Sequence, residues 1–437
     1  MWKRIGALSC LSIGGSALAY ANQSKSVALA DKQPAQPQHQ NSRKPQPVTT
    51  KSWTYYSGLP IVDKDQFRIF TGNGNPDLAT EIARYLDVKL GKSEVSKFSD
   101  GEANIQILEN VRGKDVFVVQ STSPPVDDNF MELLLMVSCL RRSSAKRITV
   151  VVPYLGYARA SVLQDQPTPI SARAIAIMLE TMGVDRVVGV DLNAGQIQGF
   201  FNPTVPTDNL ESSKVGANYF ADSFDLQNPT VVAIRANSVA RAKDFREALA
   251  NRGRKSGNTT LANARLGMVI RTDSKPSSNP VEREGEGIQE EQALGIELVG
   301  LNEIDGDVIL IDDILDTGRT LCAAAYAVKA RGAKKIYAFA THGLFTKGAK
   351  ERIKDSPIDY VVVTNTVAST EDEVASSGDK IVRLSLAPLL AETIRRIYVR
   401  ESLGETVFRM APSYPTKPSS HEQPLSHEQP HLDVPKM

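Results

Sequence analysis

Nine short runs of apolar and β-branched residues, spread between residues 116 and 384, constrain the fold of this chain more than any other feature. Each run is four or five residues long, as expected of buried parallel strands. Helical segments separate several of them, so we predict an α/β protein with mostly parallel sheets flanked by helices. The predicted strands are residues 116–119, 148–152, 187–190, 231–234, 266–270, 308–311, 336–340, 360–363 and 381–384.

Three helices are predicted from their ends as well as from their apolar spacing. Short polar side chains before a helix can accept hydrogen bonds from its first N–H groups, and a glycine commonly ends one. The three are residues 131–141 after Asp127, Asp128 and Asn129, residues 171–182 before Gly183, and residues 320–331 before Gly332.

The patterned region is too long for a single sheet of five or six strands, which predicts two similar domains at residues 67–212 and 213–405. Residues 1–52 carry seven Lys and Arg against one acid, Asp31, and predict a targeting segment followed by a linker. A mitochondrial or plastid transit peptide, a secretory signal and a short membrane anchor remain open, and so does a cytoplasmic location. Residues 412–437 are low in complexity and predict a disordered tail.

The overall charge and the histidine count exclude several classes of function. Lys and Arg total 51 and Asp and Glu total 50, so no nucleic acid partner is expected. The three cysteines are far apart in the sequence, and four of the five histidines lie in the polar tails. A Ser-His-Asp hydrolase or a histidine-rich zinc site would therefore have only His342 available.

The strongest chemical signal is at residues 308–321, where an apolar strand ends in Asp312 and Asp313 and a short loop opens a helix. The loop contains Asp316, Thr317, Gly318 and Thr320. Ligands of open α/β sheets bind at the carboxyl ends of strands, and a helix N-terminus binds phosphate through its N–H groups. Two carboxylates beside that phosphate site can accept hydrogen bonds from sugar hydroxyls, so the pattern predicts a sugar-phosphate site.

This loop resembles the phosphoribosyl-pyrophosphate loop of the type I phosphoribosyltransferase fold. The motifs in the rest of the chain resemble, in the same order, those of ribose-phosphate pyrophosphokinase, and the resemblance covers about residues 67–400. The motifs lie at residues 70–79, 97–102, 111–116, 120–123, 127–135, 153–159, 169–172, 191–201, 341–343 and 364–366.

The resemblance implies transfer of a diphosphoryl group from ATP to ribose 5-phosphate, with Mg²⁺ as cofactor, in nucleotide biosynthesis. It also implies a homo- or hetero-oligomer with ATP held at subunit contacts. The implied residues are Phe98, Asp100, Glu102 and Arg159 for ATP; Asp312, Asp313, Asp316, Thr317, Gly318 and Thr320 for ribose 5-phosphate; Asp191 and Asn193 for the metal; and Arg271 and Lys275 for catalysis.

Several positions depart from the family pattern, all of them on the side of ATP and the metal. Asn193 replaces a histidine, residues 234–239 lack an acid and two glycines, and a Lys-Arg-Arg loop has only Arg271 and Lys275 near it. Three functions therefore stay open. They are an active synthetase that draws positive charge from Arg235, Arg241 or Arg271, a catalytically impaired regulatory or structural subunit, and a phosphoribosyltransferase-like enzyme.

Overall fold

A computed structural model describes residues 63–162, 168–271, 296–301, 303–369 and 380–404. The predicted targeting segment, the predicted tail and Lys275 lie outside the described residues, and so does the side chain of Arg271. None of the helices in the described ranges is long and apolar enough to cross a membrane.

Fourteen strands form the sheets of the described chain. They are β1 Phe67–Thr71, β2 Ser93–Lys97, β3 Ala103–Ile107, β4 Asp115–Val119, β5 Arg147–Val152, β6 Arg186–Val190, β7 Thr207–Leu210, β8 Thr230–Ala233, β9 Arg265–Arg271, β10 Ile296–Val299, β11 Val308–Leu315, β12 Ile336–Gly343, β13 Tyr360–Thr364 and β14 Ile381–Leu384.

The helices of the described ranges lie between these strands in the chain, except for the last, which follows β14. They are α1 Pro76–Tyr85, α2 Val126–Arg142, α3 Ser171–Met182, α4 Ser213–Ser223, α5 Val239–Ser256, α6 Thr259–Ala262, α7 Arg319–Ala330, α8 Ala349–Asp355 and α9 Ala387–Val399. Short 3₁₀ turns occur at Gly195–Phe200 and Ala236–Ser238.

Two parallel sheets organise the chain, as the sequence predicts. The first has the strand order β1-β4-β5-β6-β7. The second has the order β10-β9-β8-β11-β12-β13-β14, and only β10 runs antiparallel to its neighbour. Strands β2 and β3 form a separate antiparallel hairpin that packs on α2. The expected α/β fold with mostly parallel sheets and flanking helices is therefore confirmed.

Each of the nine predicted strands overlaps an observed strand, and five observed strands were missed. Three of these, β1, β7 and β10, lie at sheet edges, and β2 and β3 form the separate hairpin. Strands β2, β3, β7 and β10 contain few fully buried residues, so their sequences give a weak signal, whereas β1 was missed although three of its five residues are buried.

The predicted start of α2 was wrong, whereas α3 has the predicted bounds. Helix α2 begins at Val126 after Pro125, so Asp127 and Asp128 lie in its first turn instead of preceding it. There they interact favourably with the positive end of the helix dipole. Helix α3 ends at Gly183, whose φ of +93° is a left-handed conformation that glycine adopts without strain.

The two sheets pack against each other through a common apolar core and polar contacts between their loops. Buried residues of both sheets contribute to one core cluster, including Phe117 of the first and Phe339 of the second. Ser121 Oγ donates to the carbonyl of Thr366 at 2.7 Å, and Asn75 Nδ2 donates to the carbonyl of Asn365 at 2.8 Å. These contacts hold the loops of one sheet against the loops of the other. The candidate site lies among these loops.

Candidate active site

The predicted sugar-phosphate loop connects β11 to α7, between the carboxyl end of a central strand and a helix N-terminus. Strand β11 extends through Leu315, so Asp312 and Asp313 lie within it instead of beyond its end. Gly318 is the residue before α7 and has a φ of +74°, a backbone conformation that favours glycine. The twelve-residue helix that follows directs its first N–H groups towards this loop, as an anion site requires.

Asp316 connects the loop to both sheets. Its Oδ2 accepts a hydrogen bond of 2.7 Å from Nη1 of Arg159, which belongs to the loop after β5, and its Oδ1 accepts from the hydroxyl of Thr346. Burial opposes ionisation of Asp316, but the hydrogen bonds from Thr346 and Arg159 outweigh it and lower the pKa of this carboxyl. Arg159, predicted to contact ATP, thus lies directly against the predicted ribose 5-phosphate loop.

Asp312 is buried beneath an arginine that the sequence did not pair with it. Nε of Arg235 lies 3.5 Å from Asp312 Oδ2, and the hydroxyl of Ser238 lies 3.4 Å from Oδ1. The carboxyl is 4% exposed, and burial raises its pKa from 3.8 to about 7, although the positive charge of Arg235 opposes that rise. Near neutral pH, Asp312 is therefore partly protonated in the folded chain.

Asp313 has a buried oxygen that needs a hydrogen-bond donor. Its Oδ1 accepts from the backbone N–H of Ile314 at 2.8 Å, whereas its Oδ2 accepts no hydrogen bond within the described residues. Burial opposes its ionisation, but Arg241 and the bond with Asp312 outweigh burial and lower its pKa. An ionised, buried acceptor without a donor is costly, and a ligand hydroxyl would satisfy it.

The raised pKa of Asp312 gives an expected pH dependence of stability. Between 3.8 and about 7 the folded state keeps a proton on Asp312 that the unfolded chain releases, so the free energy of unfolding falls as pH rises through this window. The variant Asp312→Asn has no ionisable group at this position, so its free energy of unfolding does not fall for this reason. Its melting temperature relative to wild type is therefore expected to be higher at about pH 8 than at about pH 5.

Thermal unfolding of both proteins across this pH range measures the difference. Asp305→Asn is a suitable control because Asp305 is 68% exposed and pairs with Arg265 on the surface. A melting-temperature difference between Asp312→Asn and wild type that stays constant with pH would contradict the assignment.

Asp191, predicted as a metal ligand, has its carboxylate enclosed by protein groups. Its Oδ2 accepts from the hydroxyl of Thr341 at 2.7 Å and from both the N–H, at 3.1 Å, and the hydroxyl of Ser212. Nε of Arg241 lies 3.6 Å from its Oδ1. Asp191, which directly follows β6 of the first sheet, thus contacts β12 of the second sheet and helix α5.

The residues predicted to bind metal do not form a magnesium site by themselves. Asn193 donates through Nδ2 to the carbonyl of Ala158 at 3.2 Å, and the oxygens of Asp191 face hydroxyls and an arginine. No group of three or more His, Cys, Asp or Glu side chains in the described ranges is arranged to hold a metal. Magnesium commonly binds through one or two carboxylates together with phosphate oxygens and water, so a nucleotide would have to supply most of its ligands.

Phe98, Asp100 and Glu102 lie at the exposed turn of the β2–β3 hairpin. The backbone N–H of Phe98 donates to the carbonyl of Glu102 at 2.8 Å, and Asp100 Oδ1 accepts from the N–H of Glu102 at 3.1 Å. The Phe98 ring is 55% exposed and is thus free to stack on a ligand. The hairpin is anchored to α2 by an ion pair of 2.5 Å between Lys97 and Asp128.

His342 is a buried structural residue. It is 3% exposed, its Nδ1 lies 2.9 Å from the hydroxyl of Thr366, and its ring packs edge-on against Tyr154. Burial lowers its pKa to about 4, so the imidazole is neutral at physiological pH.

From the sequence, Arg235 and Arg241 are only possible sources of positive charge, and neither can be paired with an acid. The pairing of Arg241 with Asp191 depends on how the two sheets meet, whereas Arg235 meets Asp312 within the second sheet. The one signal in the sequence was that Arg235 directly follows the predicted strand 231–234; the structure makes that strand, β8, the neighbour of β11.

Comparison with known proteins gives matches across the described chain. A model of the N-terminal domain of ribose phosphate pyrophosphokinase matches residues 67–183, and a model of the phosphoribosyl synthetase-associated domain matches residues 225–409. Together they cover more than half of the sequence, including the hairpin, the Arg159 loop and the β11–α7 loop.

Individual relatives match over nearly their whole length. A ribose-phosphate pyrophosphokinase of Helicobacter pylori is 41% identical over 77% of this chain and 95% of the relative. One of Vibrio parahaemolyticus is 42% identical over 77% of this chain and 98% of the relative. The crystal structure of phosphoribosylpyrophosphate synthetase from Mycobacterium smegmatis superposes with a TM-score of 0.65 at 33% identity, over 77% of this chain and 99% of that one.

Proposed function

The chain belongs to the ribose-phosphate pyrophosphokinase family, and from that premise we propose that it transfers the diphosphoryl group of ATP to ribose 5-phosphate. The products are phosphoribosyl pyrophosphate and AMP. The observation that carries the proposal is the β11–α7 loop, where a helix N-terminus for a phosphate lies beside the buried, unsatisfied Oδ2 of Asp313. A coupled assay of AMP release by the purified chain tests it.

The loop and the two acids bind ribose 5-phosphate in this proposal. The phosphate is held by the N–H groups at the start of α7 and by the hydroxyls of Thr317 and Thr320. The ribose hydroxyls donate to the carboxylates of Asp312 and Asp313, which gives Asp313 Oδ2 the donor it lacks within the protein. Arg159 holds Asp316 in place at the opening of the loop.

The reaction joins the C1 hydroxyl oxygen of ribose 5-phosphate to the β-phosphorus of ATP. The bond between that phosphorus and the oxygen bridging to the α-phosphate breaks, AMP departs with its electron pair, and the hydroxyl proton is released. Catalysis of such a transfer depends mostly on positioning and on neutralising the negative charge that spreads over the phosphoryl oxygens.

Arg235 is the described cation that is best placed to neutralise this charge. Its guanidinium lies above Asp312 and its side chain is 45% exposed, so it can reach a phosphate at the opening of the site. Its five N–H donors suit phosphate oxygens. Arg241 is 11% exposed and holds Asp191, and it also lowers the pKa of Asp313. We assign to Arg241 the task of keeping Asp313 ionised for the ribose.

We propose that Mg²⁺ enters with ATP. Three observations on the described residues support this: no metal-binding cluster among them, the enclosed carboxylate of Asp191, and an amide at Asn193. Magnesium would neutralise charge on the nucleotide phosphates, and the arginines would act on the transferred group beside it.

We also propose an oligomer of identical or related subunits in which the β2–β3 hairpin of one subunit holds the adenine of ATP bound to a neighbour. The exposure of the Phe98 ring at the turn supports this arrangement, because a large apolar ring gains most by stacking when it begins in water.

The variant Phe98→Ala is expected to raise the Michaelis constant for ATP about tenfold, since stacking of an aromatic ring on a base contributes about 1–3 kcal/mol. The melting temperature should stay unchanged, because the ring packs on little of its own chain. Leu108→Ala is the matched control, since Leu108 is 58% exposed at the base of the same hairpin. If the Michaelis constant for ATP rises equally in both variants, or does not rise in Phe98→Ala, Phe98 is not part of the nucleotide site.

A further inference from the structure

Residues 344–352, which connect β12 to α8 and form the start of α8, lie against the loop between β11 and α7. The backbone N–H of Leu344 donates to the carbonyl of Leu315 at 2.8 Å. The N–H of Thr346 donates to the carbonyl of Asp316 at 3.0 Å, and its hydroxyl donates to the carboxylate of the same residue. We call residues 344–352 the support segment, because they contact the phosphate loop from behind.

Arg352 of helix α8 contacts the next residue of the loop. Its Nη1 donates a hydrogen bond to the carbonyl of Thr317. The backbone of α8 is close to the loop at the same place, since a Cβ atom at Gly318 would lie 3.7 Å from the Cβ of Ala349. The carbonyls of three successive loop residues, 315–317, therefore all accept hydrogen bonds from the support segment.

The direction of these carbonyls also fixes the direction of the loop's N–H groups. In a trans peptide unit the C=O and the following N–H point to opposite sides. The bonds to Asp316 and Thr317 therefore turn the N–H groups of Thr317 and Gly318 away from the support segment. Neither N–H donates to an acceptor within the described residues. Together with the first N–H groups of α7, they are free donors for a phosphate.

The support segment has a strained backbone beside these contacts. Phe345 and Lys347 both have a φ of 49°, in the left-handed region that residues other than glycine seldom adopt. Such strain persists only where the surrounding contacts maintain it, and it often occurs at functional sites. The two strained residues flank Thr346, whose N–H and hydroxyl both bond Asp316. The turn thus brings both polar groups of Thr346 to one residue of the loop.

We propose that Arg352 and Thr346 are positioning residues for the phosphate of ribose 5-phosphate. They hold the backbone of the loop so that the N–H groups of Thr317 and Gly318 point towards the phosphate oxygens, and neither side chain has to touch the ligand. This inference rests on the proposed function, which places ribose 5-phosphate in the loop. Loss of either contact allows the loop to rotate its peptide units, so affinity for ribose 5-phosphate falls while affinity for ATP does not.

Calorimetric titration of the full chain tests the role of Arg352. Arg352→Gln is expected to raise the dissociation constant of ribose 5-phosphate about tenfold, because each bond from an N–H to the phosphate is a hydrogen bond to a charged group. The dissociation constant of ATP should stay unchanged. Arg352→Lys keeps a charged donor and should recover part of the affinity. Lys354→Gln is the matched control, since Lys354 is an exposed cation in the last turn of the same helix.

Thr346→Val is the second variant, and it decides the question if Arg352→Gln does not fold. Valine has the shape of threonine without the hydroxyl, whereas the matched control Thr346→Ser keeps it. The dissociation constant of ribose 5-phosphate is expected to rise in Thr346→Val and not in Thr346→Ser.

A selective loss of affinity for ribose 5-phosphate in either variant, absent from its control, supports the proposal. Wild-type affinity in both variants, or an equal loss of affinity for ribose 5-phosphate and ATP, overturns it. These titrations measure binding and not turnover. A wild-type chain that binds ribose 5-phosphate but releases no AMP would therefore contradict the proposed function alone.

Discussion

The variant Arg235→Ala is expected to lower the turnover of diphosphoryl transfer by about 10²–10³-fold, with the Michaelis constant for ribose 5-phosphate changed by less than about threefold. Nε of Arg235 lies 3.5 Å from Asp312 Oδ2 and its side chain is 45% exposed, so the guanidinium can face the space where the transferred group would lie. An interaction made only in the transition state lowers turnover without weakening the ground-state complex.

Steady-state kinetics of Arg235→Ala with ribose 5-phosphate and ATP varied separately measures both effects. Lys243→Ala is a matched control, because Lys243 is an exposed cation at the start of the neighbouring helix α5. Unchanged turnover, or a change in the Michaelis constant alone, would show that Arg235 pairs with Asp312 but does not act on the transferred group. Faster turnover would show that the ion pair with Asp312 restrains the enzyme.

The variant Asp313→Asn is expected to raise the dissociation constant of ribose 5-phosphate about 10- to 100-fold. A hydrogen bond to a charged group contributes about 1.5–3 kcal/mol, and each 1.4 kcal/mol corresponds to about a factor of ten in affinity. The amide keeps the shape of the carboxyl but replaces one charged acceptor with a neutral group. Oδ2 has no hydrogen-bond donor within the described residues, so we expect its replacement to have the largest effect on the affinity for ribose 5-phosphate.

Calorimetric titration of ribose 5-phosphate into the variant measures the change directly. Asp307→Asn is the matched control, since Asp307 is 2% exposed at the other end of the segment that forms β11, and its Oδ2 accepts from the N–H of Gln227 at 2.9 Å. That variant should lose stability without losing affinity. Equal affinity of wild type and Asp313→Asn would place the ribose elsewhere.

The central strands of both sheets could be predicted from the sequence because their burial requires runs of β-branched residues. Strand β11 shows this best, since all eight of its residues are buried. The same motif predicted the loop, because Gly318 and the flanking threonines are local requirements of a phosphate-binding turn.

The pairing of charges across the two sheets could not be predicted in the same way. Arg159 and Asp316 are 157 residues apart in the chain and meet only because the two sheets present their loops to one another. Asp191 was assigned to the metal from the resemblance to the family, and that assignment stays a prediction. Its contacts with Thr341 of β12 and Arg241 of α5 could not be predicted, because both residues come from the other half of the described chain.

Release of AMP by the purified chain, supplied with ATP, Mg²⁺ and ribose 5-phosphate, tests the central claim most directly. The expected result is AMP and phosphoribosyl pyrophosphate in equal amounts, and no AMP when ribose 5-phosphate is omitted. Binding of ribose 5-phosphate without release of AMP would contradict the proposed activity, and it would identify the chain as a non-catalytic member of its family.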